Sequence, residues 1–182
     1  MYKIKITILK RNLKKTKELD PITSTKMIIK GHVKIPTCVN KLKDKCFFRC
    51  DNLIDVDINA QLISFSDGCF CGCINLKIIN IPSTINKIDD FCFNNCINLE
   101  SINIPESVTS IGCCSFGSCL SLKEIKLPNS VVEIKKYAFS NCTSLSSLTI
   151  PNRNVIIEKY VINKCPNLKM VLADVETMKK LL

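Results

Sequence analysis

Thirteen cysteines, one histidine and sixteen acidic residues are the side chains of this 182-residue sequence with the chemistry to form a reactive site, and the cysteines recur at a fixed spacing. Six of them, Cys50, Cys73, Cys96, Cys119, Cys142 and Cys165, follow one another at a constant interval of 23 residues. Cysteines in such numbers serve disulfide bonding, metal ligation or nucleophilic attack. Stacked neighbours in one column would place their Cα atoms roughly 5 Å apart with parallel Cβ vectors, whereas a disulfide needs vectors directed at each other. Secreted disulfide scaffolds are also usually shorter. For metal, the groups to weigh are Cys69-x-Cys71-x-Cys73, Cys46 with Cys50, Cys92 with Cys96, and the adjacent Cys113-Cys114. None has paired C-x-x-C spacing, and a tetrahedral thiolate site needs four ligands converging on one point. For nucleophilic chemistry His32 is the sole imidazole, nothing in the sequence orients it, and beside Gly31 it reads as part of a turn. The acidic residues form no evident pair, the five glycines make no phosphate loop, and Asn141-Cys142-Thr143 is a weak glycosylation match because its centre is a repeat cysteine. The expectation is therefore no catalytic residue, no metal, no cofactor and no small-molecule substrate.

A packing role accounts for most of the cysteines. A second column, Cys46, Cys69 and Cys92, continues as Ser115, Ala138 and Val161, so the position selects a small side chain. Cysteine buries well as a small apolar residue. Only Cys38, Cys71, Cys113 and Cys114 fall outside the two columns, and these are the candidates for reactivity.

The same interval governs the elements that must position these residues. Leu53, Leu76, Leu99, Leu122, Leu145 and Leu168 form one column, and Phe47, Phe70, Phe93, Phe116 and Phe139, ending in Ile162, form another. Leu42, Phe65, Ile88, Ile111, Ile134 and Ile157 form a third, and Pro82, Pro105, Pro128 and Pro151 a fourth, with Pro36 ahead of them and Asn59 as the gap. Within one unit, Leu99-Glu100-Ser101-Ile102-Asn103-Ile104 alternates inward and outward residues over its last four positions, as a half-buried strand does, and Pro105 ends it. Seven such strands are countable, centred on Lys34, Asp57, Asn80, Asn103, Lys126, Thr149 and Leu172. With strands about 4.8 Å apart, the sheet would be on the order of 29 Å long. After each strand Val108 and Ile111 and their equivalents point inward, and the Phe116-x-x-Cys119-x-x-Leu122 spacing predicts a short helical turn returning to the next strand.

The pattern Leu99-x-x-Ile102-x-Ile104-Pro105-x-Ser107-Val108-Thr109-x-Ile111-Gly112, completed by Phe116-x-x-Cys119-x-x-Leu122, closely resembles the BspA-like class of leucine-rich repeats. Tyr137-Ala138-Phe139-Ser140-Asn141-Cys142 matches the alanine-phenylalanine and cysteine element of that class, and the resemblance covers about residues 33 to 172. It implies an α/β solenoid, a right-handed coil with a parallel β-sheet on one face and short helical or irregular returns. Members of the class occur on bacterial surfaces and in protist parasites, associated with adhesion and protein binding, so the resemblance implies a binding role and admits a cell-surface location.

The expected organisation is a basic N-terminal cap over residues 1–32, an array of about six 23-residue coils over 33–172, and a capping helix over 173–182. An open stack needs such ends. Tyr2 to Leu9 alternates as an extra first strand would, and Asp174 stands as an N-cap ahead of Val175, Met178 and Leu182 at helical spacing, with Lys179 and Lys180 suiting the helix dipole.

A repeat-built sheet offers one outward side chain per coil from each column, and the candidate partner-binding ladder is Asp57, Asn80, Asn103, Lys126 and Thr149, flanked by Asp55, Ile78, Ser101, Glu124 and Ser147. The expected partner is another protein. The alternative reading uses charge. Residues 1 to 50 hold 14 Lys+Arg against 3 Asp+Glu, giving +11, while residues 51 to 182 hold 12 against 13, giving −1. Lys10, Arg11, Lys14, Lys15 and Lys17, with Lys41, Lys43 and Lys45, would then bind nucleic acid or an anionic membrane. Hydrophobic residues at 46% and charged residues at 23% describe a soluble globular domain. The alternating lysines and isoleucines of the first ten residues read as neither a leader nor a membrane span, so a cytoplasmic location is the expectation from sequence.

Overall fold

The computed structural model describes residues 17–28 and 30–181. The chain forms a parallel-strand solenoid of about seven turns in which residues 23 apart pair laterally. Short strands, numbered β1 to β13 in chain order, form two ladders among the described residues. The front ladder comprises β2 (His32–Ile35), β4 (Asp55–Ile58) and β6 (Ile78–Ile79), then β9 (Glu124–Lys126), β11 (Ser147–Thr149) and β13 (Met170–Leu172). Every pairing is parallel and keeps the interval, as in Val33↔Val56↔Ile79 and Ile125↔Leu148↔Val171. The strand expected around Asn103 is reduced to a single bridge, Asn80↔Asn103, so the hydrogen-bonded ladder is interrupted there and resumes at β9. Ile102 is nonetheless half-buried, Asn103 exposed and Ile104 buried, so the alternation persists.

A second ladder, read from the sequence only as an inward apolar pair, lies beyond each proline turn. It comprises β1 (Glu18–Leu19) with β3 (Lys41–Leu42), and β5 (Ser64–Phe65), β7 (Lys87–Ile88), β8 (Ser110–Ile111), β10 (Glu133–Ile134) and β12 (Ile156–Ile157). On the third side the return takes the irregular of the two expected forms, not the helical one. Its Phe-x-x-Cys-x-x-Leu spacing makes turns, with Cys119 N–H bonded to Phe116 O at 3.3 Å and Leu122 N–H to Cys119 O at 3.2 Å. These turns alternate in hand. Positive φ recurs at Lys45, Phe91, Cys114, Tyr137 and Tyr160, and again at Arg49, Asn95, Ser118, Asn141 and Lys164, with Gly68 and Gly72 at the equivalent places. The alternation turns N–H groups toward the next coil: Phe47 to Cys69 O, Phe70 to Cys92 O, Phe93 to Ser115 O, Phe116 to Ala138 O and Phe139 to Val161 O, all at 2.7–2.8 Å. A continuing helix would have spent those donors within its own coil. Helix among the described residues is limited to Pro21–Met27 and Val175–Leu181, so the α/β description fits loosely.

Inside, Phe47, Phe70, Phe93, Phe116 and Phe139 stack with centroids 5.2–5.5 Å apart, and Phe65 sets its edge against Phe70 and Phe93. Burying such a ring is worth about 3–5 kcal/mol by truncation. Leu53, Leu76, Leu99, Leu122 and Leu145 are fully buried beside them.

Residues of the expected N-terminal region already take part in the stack. Leu19 is fully buried, β1 pairs with β3 at the same 23-residue offset, and the Ser24 hydroxyl donates to Cys46 O. The alternating segment Tyr2 to Leu9 lies outside the described residues. At the other end, Asp174 accepts hydrogen bonds from the N–H groups of Glu176 and Thr177, capping the helix Val175–Leu181. The face this helix buries meets the expected one only in part: Thr177 is buried and Met178 and Leu181 half-buried, whereas Val175 is 71% exposed. Leu182 lies outside the described residues.

Candidate functional site

The front ladder has two outward columns, because strand residues alternate across the sheet and the coil repeats in register. One column carries His32, Asp55, Ile78, Ser101, Glu124, Ser147 and Met170; the other carries Lys34, Asp57, Asn80, Asn103, Lys126, Thr149 and Leu172. All ten residues of the ladder read from sequence, Ile78 among them, thus share one face. Asp57, Asn80, Ser101, Asn103, Glu124 and Lys126 are exposed, and Asp55, Ser147 and Thr149 half-buried.

Charge organises the first coils. The Lys34 ammonium lies 3.1 Å from the Asp57 carboxylate, and hydrogen bonds from Lys34, then Asn59, hold that carboxyl below its ordinary pKa. His32 opens β2, where a turn was expected, and its Nδ1 contacts the Asp55 carboxylate. The imidazole is therefore oriented by its cross-strand neighbour. Sequence reasoning left His32 and Lys34 off this face, although both stand one interval before Asp55 and Asp57.

Beside these pairs Asp55, Asp57, Ile78, Asn80 and Pro82 line a shallow depression of about 320 Å³. Ile78 is 56% exposed and supplies an apolar contact among short polar groups. Farther along, Met170 and Leu172 expose two more apolar side chains beyond Ser147 and Thr149. The front face therefore presents a charged end, a polar middle and an apolar end.

The described members of the basic patch, Lys17, Lys41, Lys43 and Lys45, do not share that face. Lys10, Arg11, Lys14 and Lys15 lie outside the described residues. Lys17 and Lys41 are exposed, Lys43 lies 3.4 Å from Glu18, and Lys45 stands 5.9 Å over the Phe48 ring. Asp44 and Asp67 intervene beside Lys43 and Lys45, with the Lys45 N–H donating to Asp67 O at 2.8 Å.

The repeat cysteines face inward, and they do more than fill space. Cys73, Cys96, Cys119, Cys142 and Cys165 each point Sγ at the carbonyl of a phenylalanine in the preceding coil, at 3.0–3.2 Å. Burial pushes the Cys50 thiol up to about 11 and Cys142 to about 12, so both stay protonated at neutral pH. Of the four outliers, Cys38, Cys71 and Cys114 are half-buried and Cys113 is buried, with Sγ of the last pair 3.6 Å apart. Among the described residues no three His, Cys, Asp or Glu side chains are gathered to hold a metal ion, and no helix is long and apolar enough to cross a membrane.

The family model described as BspA type leucine-rich repeat region matches in six copies over residues 31–112 and 86–180. Among solved structures the chain is similar to a leucine-rich repeat protein from Bacteroides ovatus, with 32% identity and a TM-score of 0.74 over 78% of this chain and 37% of that one. It is also similar to the T. pallidum leucine-rich repeat protein, with 26% identity and a TM-score of 0.65 over 83% of both chains. A leucine-rich repeat protein from Eubacterium ventriosum, at 24% identity and a TM-score of 0.57 over 60% of this chain and 30% of that one, shares the fold. The chain thus spans 37% of the length of the Bacteroides ovatus protein. Comparison with curated proteins returns no match.

Proposed function

The chain belongs to the BspA-type leucine-rich repeat family, and from that premise we propose that it is a non-catalytic module that binds another protein through its front strand ladder. Leucine-rich repeat proteins are typically protein-interaction or adhesion modules and are generally non-enzymatic. The observation that carries the reading is the exposed Ile78 beside the Asp55 and Asp57 carboxylates and the Asn80 amide. An apolar contact ringed by polar groups is the arrangement in which a few residues dominate binding energy. Lys34, Asp57, Asn80, Asn103, Lys126 and Thr149 then fix the register of an extended partner segment, one coil at a time.

The test is capture of a protein partner by the reduced full chain, followed by calorimetric affinities for that isolated partner. Ile78→Asp and Asp57→Lys should each weaken binding by about 2 kcal/mol or more, as loss of a central contact does. Ile63→Asp, an exposed position off the front face, should leave the affinity unchanged. Equal affinities for all variants would reject the front ladder.

A second reading rests on the +11 charge of residues 1 to 50. Binding of nucleic acid or an anionic membrane there would fall steeply with added salt, whereas flat salt dependence removes it.

A further inference from the structure

Nine of the thirteen cysteines occupy two inward columns whose other members are small or apolar, so the fold itself accounts for them. Cys113 and Cys114 stand elsewhere. The column of Cys113 holds Asp44, Asp67, Asp90, Lys136 and Lys159, and that of Cys114 holds Lys45, Gly68, Phe91, Tyr137 and Tyr160. Neither column asks for a small buried residue. Only in this coil do both positions carry thiols, and the two sulfurs lie 3.6 Å apart on the turn side of the solenoid.

The backbone holds the pair in that arrangement. Cys114 is left-handed, with φ at 51°, which turns its side chain alongside that of its neighbour. The Cys113 N–H donates to the Asp90 carboxylate at 2.8 Å, and Cys113 O accepts from Phe91 N–H at 2.8 Å. The Cys114 N–H donates to Lys136 O at 3.1 Å, and Cys114 O accepts from Gly117 N–H at 3.0 Å and from the Asn94 amide at 3.3 Å. All four backbone polar groups of the dipeptide are thereby fixed, and two coils plus the following turn would have to move to separate the sulfurs. Gly112 adds to this rigidity, since a Cβ there would stand 2.5 Å from the backbone carbon of Asp89.

From this geometry we infer that Cys113 and Cys114 form a dithiol capture site for a thiophilic centre satisfied by two thiolates, of the trivalent monosubstituted arsenical class. The two-sulfur requirement selects that class. A zinc-type ion needs four ligands, and no third His, Cys, Asp or Glu converges here among the described residues. A trivalent arsenical bearing one organic group needs two. In the capture step the arsenic–oxygen bonds of the arsenoxide break and two arsenic–sulfur bonds form. The two thiol protons leave with the oxygen as one water, and arsenic stays trivalent, so no oxidant or reductant is consumed. Access is through Cys114, which is half-buried, while Cys113 lies just beneath. Burial, then the Cys113 thiol and the Asp90 carboxylate, opposed by Lys136, push the Cys114 thiol up to about 11. The Cys114 thiol therefore arrives protonated at neutral pH, which disfavours its attack by monofunctional electrophiles and leaves the chelate as the favoured product.

The test uses the full chain, reduced with a non-thiol phosphine, and phenylarsine oxide as the probe. One equivalent should give a single adduct that survives excess monothiol and is released by a small dithiol. Digestion and mass spectrometry should place it on the peptide containing Cys113 and Cys114. Replacing the pair by the residues of the next coil, Cys113→Lys with Cys114→Tyr, should lower retention under monothiol challenge by about 100-fold or more, because the chelate's effective concentration is lost. Cys71→Ser should leave retention unchanged. An adduct mapping to any other cysteine, or none that outlasts the monothiol, overturns the assignment, and the mapping stands whether or not the double variant folds.

Discussion

The thiols of Cys73, Cys96, Cys119, Cys142 and Cys165 each donate to a phenylalanine carbonyl 26 residues earlier, so one small side chain both fills the core and ties neighbouring coils. Spacing and small-residue replacement show that these sulfurs are buried; the carbonyl each one meets depends on turn geometry and is not written in the spacing. The other small-residue column gives a sharper comparison. Its Cys46 Sγ donates to Leu19 O at 3.3 Å, whereas the Ser115 hydroxyl is buried with no hydrogen-bond partner. An unsatisfied buried hydroxyl costs free energy that an apolar group of similar size does not. Ser115→Ala, matching Ala138 in the next coil, should therefore raise the unfolding free energy by about 1 kcal/mol in urea titration. A loss of stability would mean that the hydroxyl has a partner such as a bound water.

At the scale of the element, the two ladders were unequally legible. The front strands announce themselves by alternation closed with proline, and the second ladder hides because each strand there is two residues long. Least legible is the turn side, where a Phe-x-x-Cys-x-x-Leu rhythm fits helix as well as turns. Its left-handed positions are marked by glycine only at Gly68 and Gly72; elsewhere Lys45, Phe91, Asn95 and Tyr137 adopt the same φ. Those residues tolerate the conformation because the N–H groups it redirects bond to the next coil. Asn95→Gly should thus be neutral or stabilising. Asn95→Val should cost about 1–2 kcal/mol, since a β-branched side chain is strained at positive φ. Equal midpoints for the two variants would place Asn95 outside the left-handed region.

At the scale of the whole molecule the column of six thiols from Cys50 to Cys165 runs the length of the stack, and its burial should set the alkaline limit. Burial raises Cys50 to about 11, Cys142 to about 12, and Cys96 and Cys119 well above the ordinary 9.0. Unfolding frees these thiols to ionise near their ordinary value, so above it the unfolded chain holds fewer protons than the folded one. Their contribution is complete below pH 9 and is lost as pH rises through 11 and 12. Urea midpoints should fall across that window, and Cys50→Val with Cys142→Val should fall less; equal slopes would show that lysine deprotonation governs the limit. The last coil is less covered than the rest, with Ile162, Cys165, Leu168 and Val171 only half-buried where their equivalents are sealed. By itself the sequence determined the repeat, its 23-residue register, the inward columns and the two outward columns of the front face, because periodicity fixes which residues stack whatever the turns between them. Tertiary structure alone decided that the returns are turns of alternating hand, that His32 and Lys34 meet Asp55 and Asp57, that Ile78 stands exposed in a depression, and that two adjacent thiols point together. Each of these depends on backbone direction and on contacts one coil away, which residue types at a fixed interval permit without specifying.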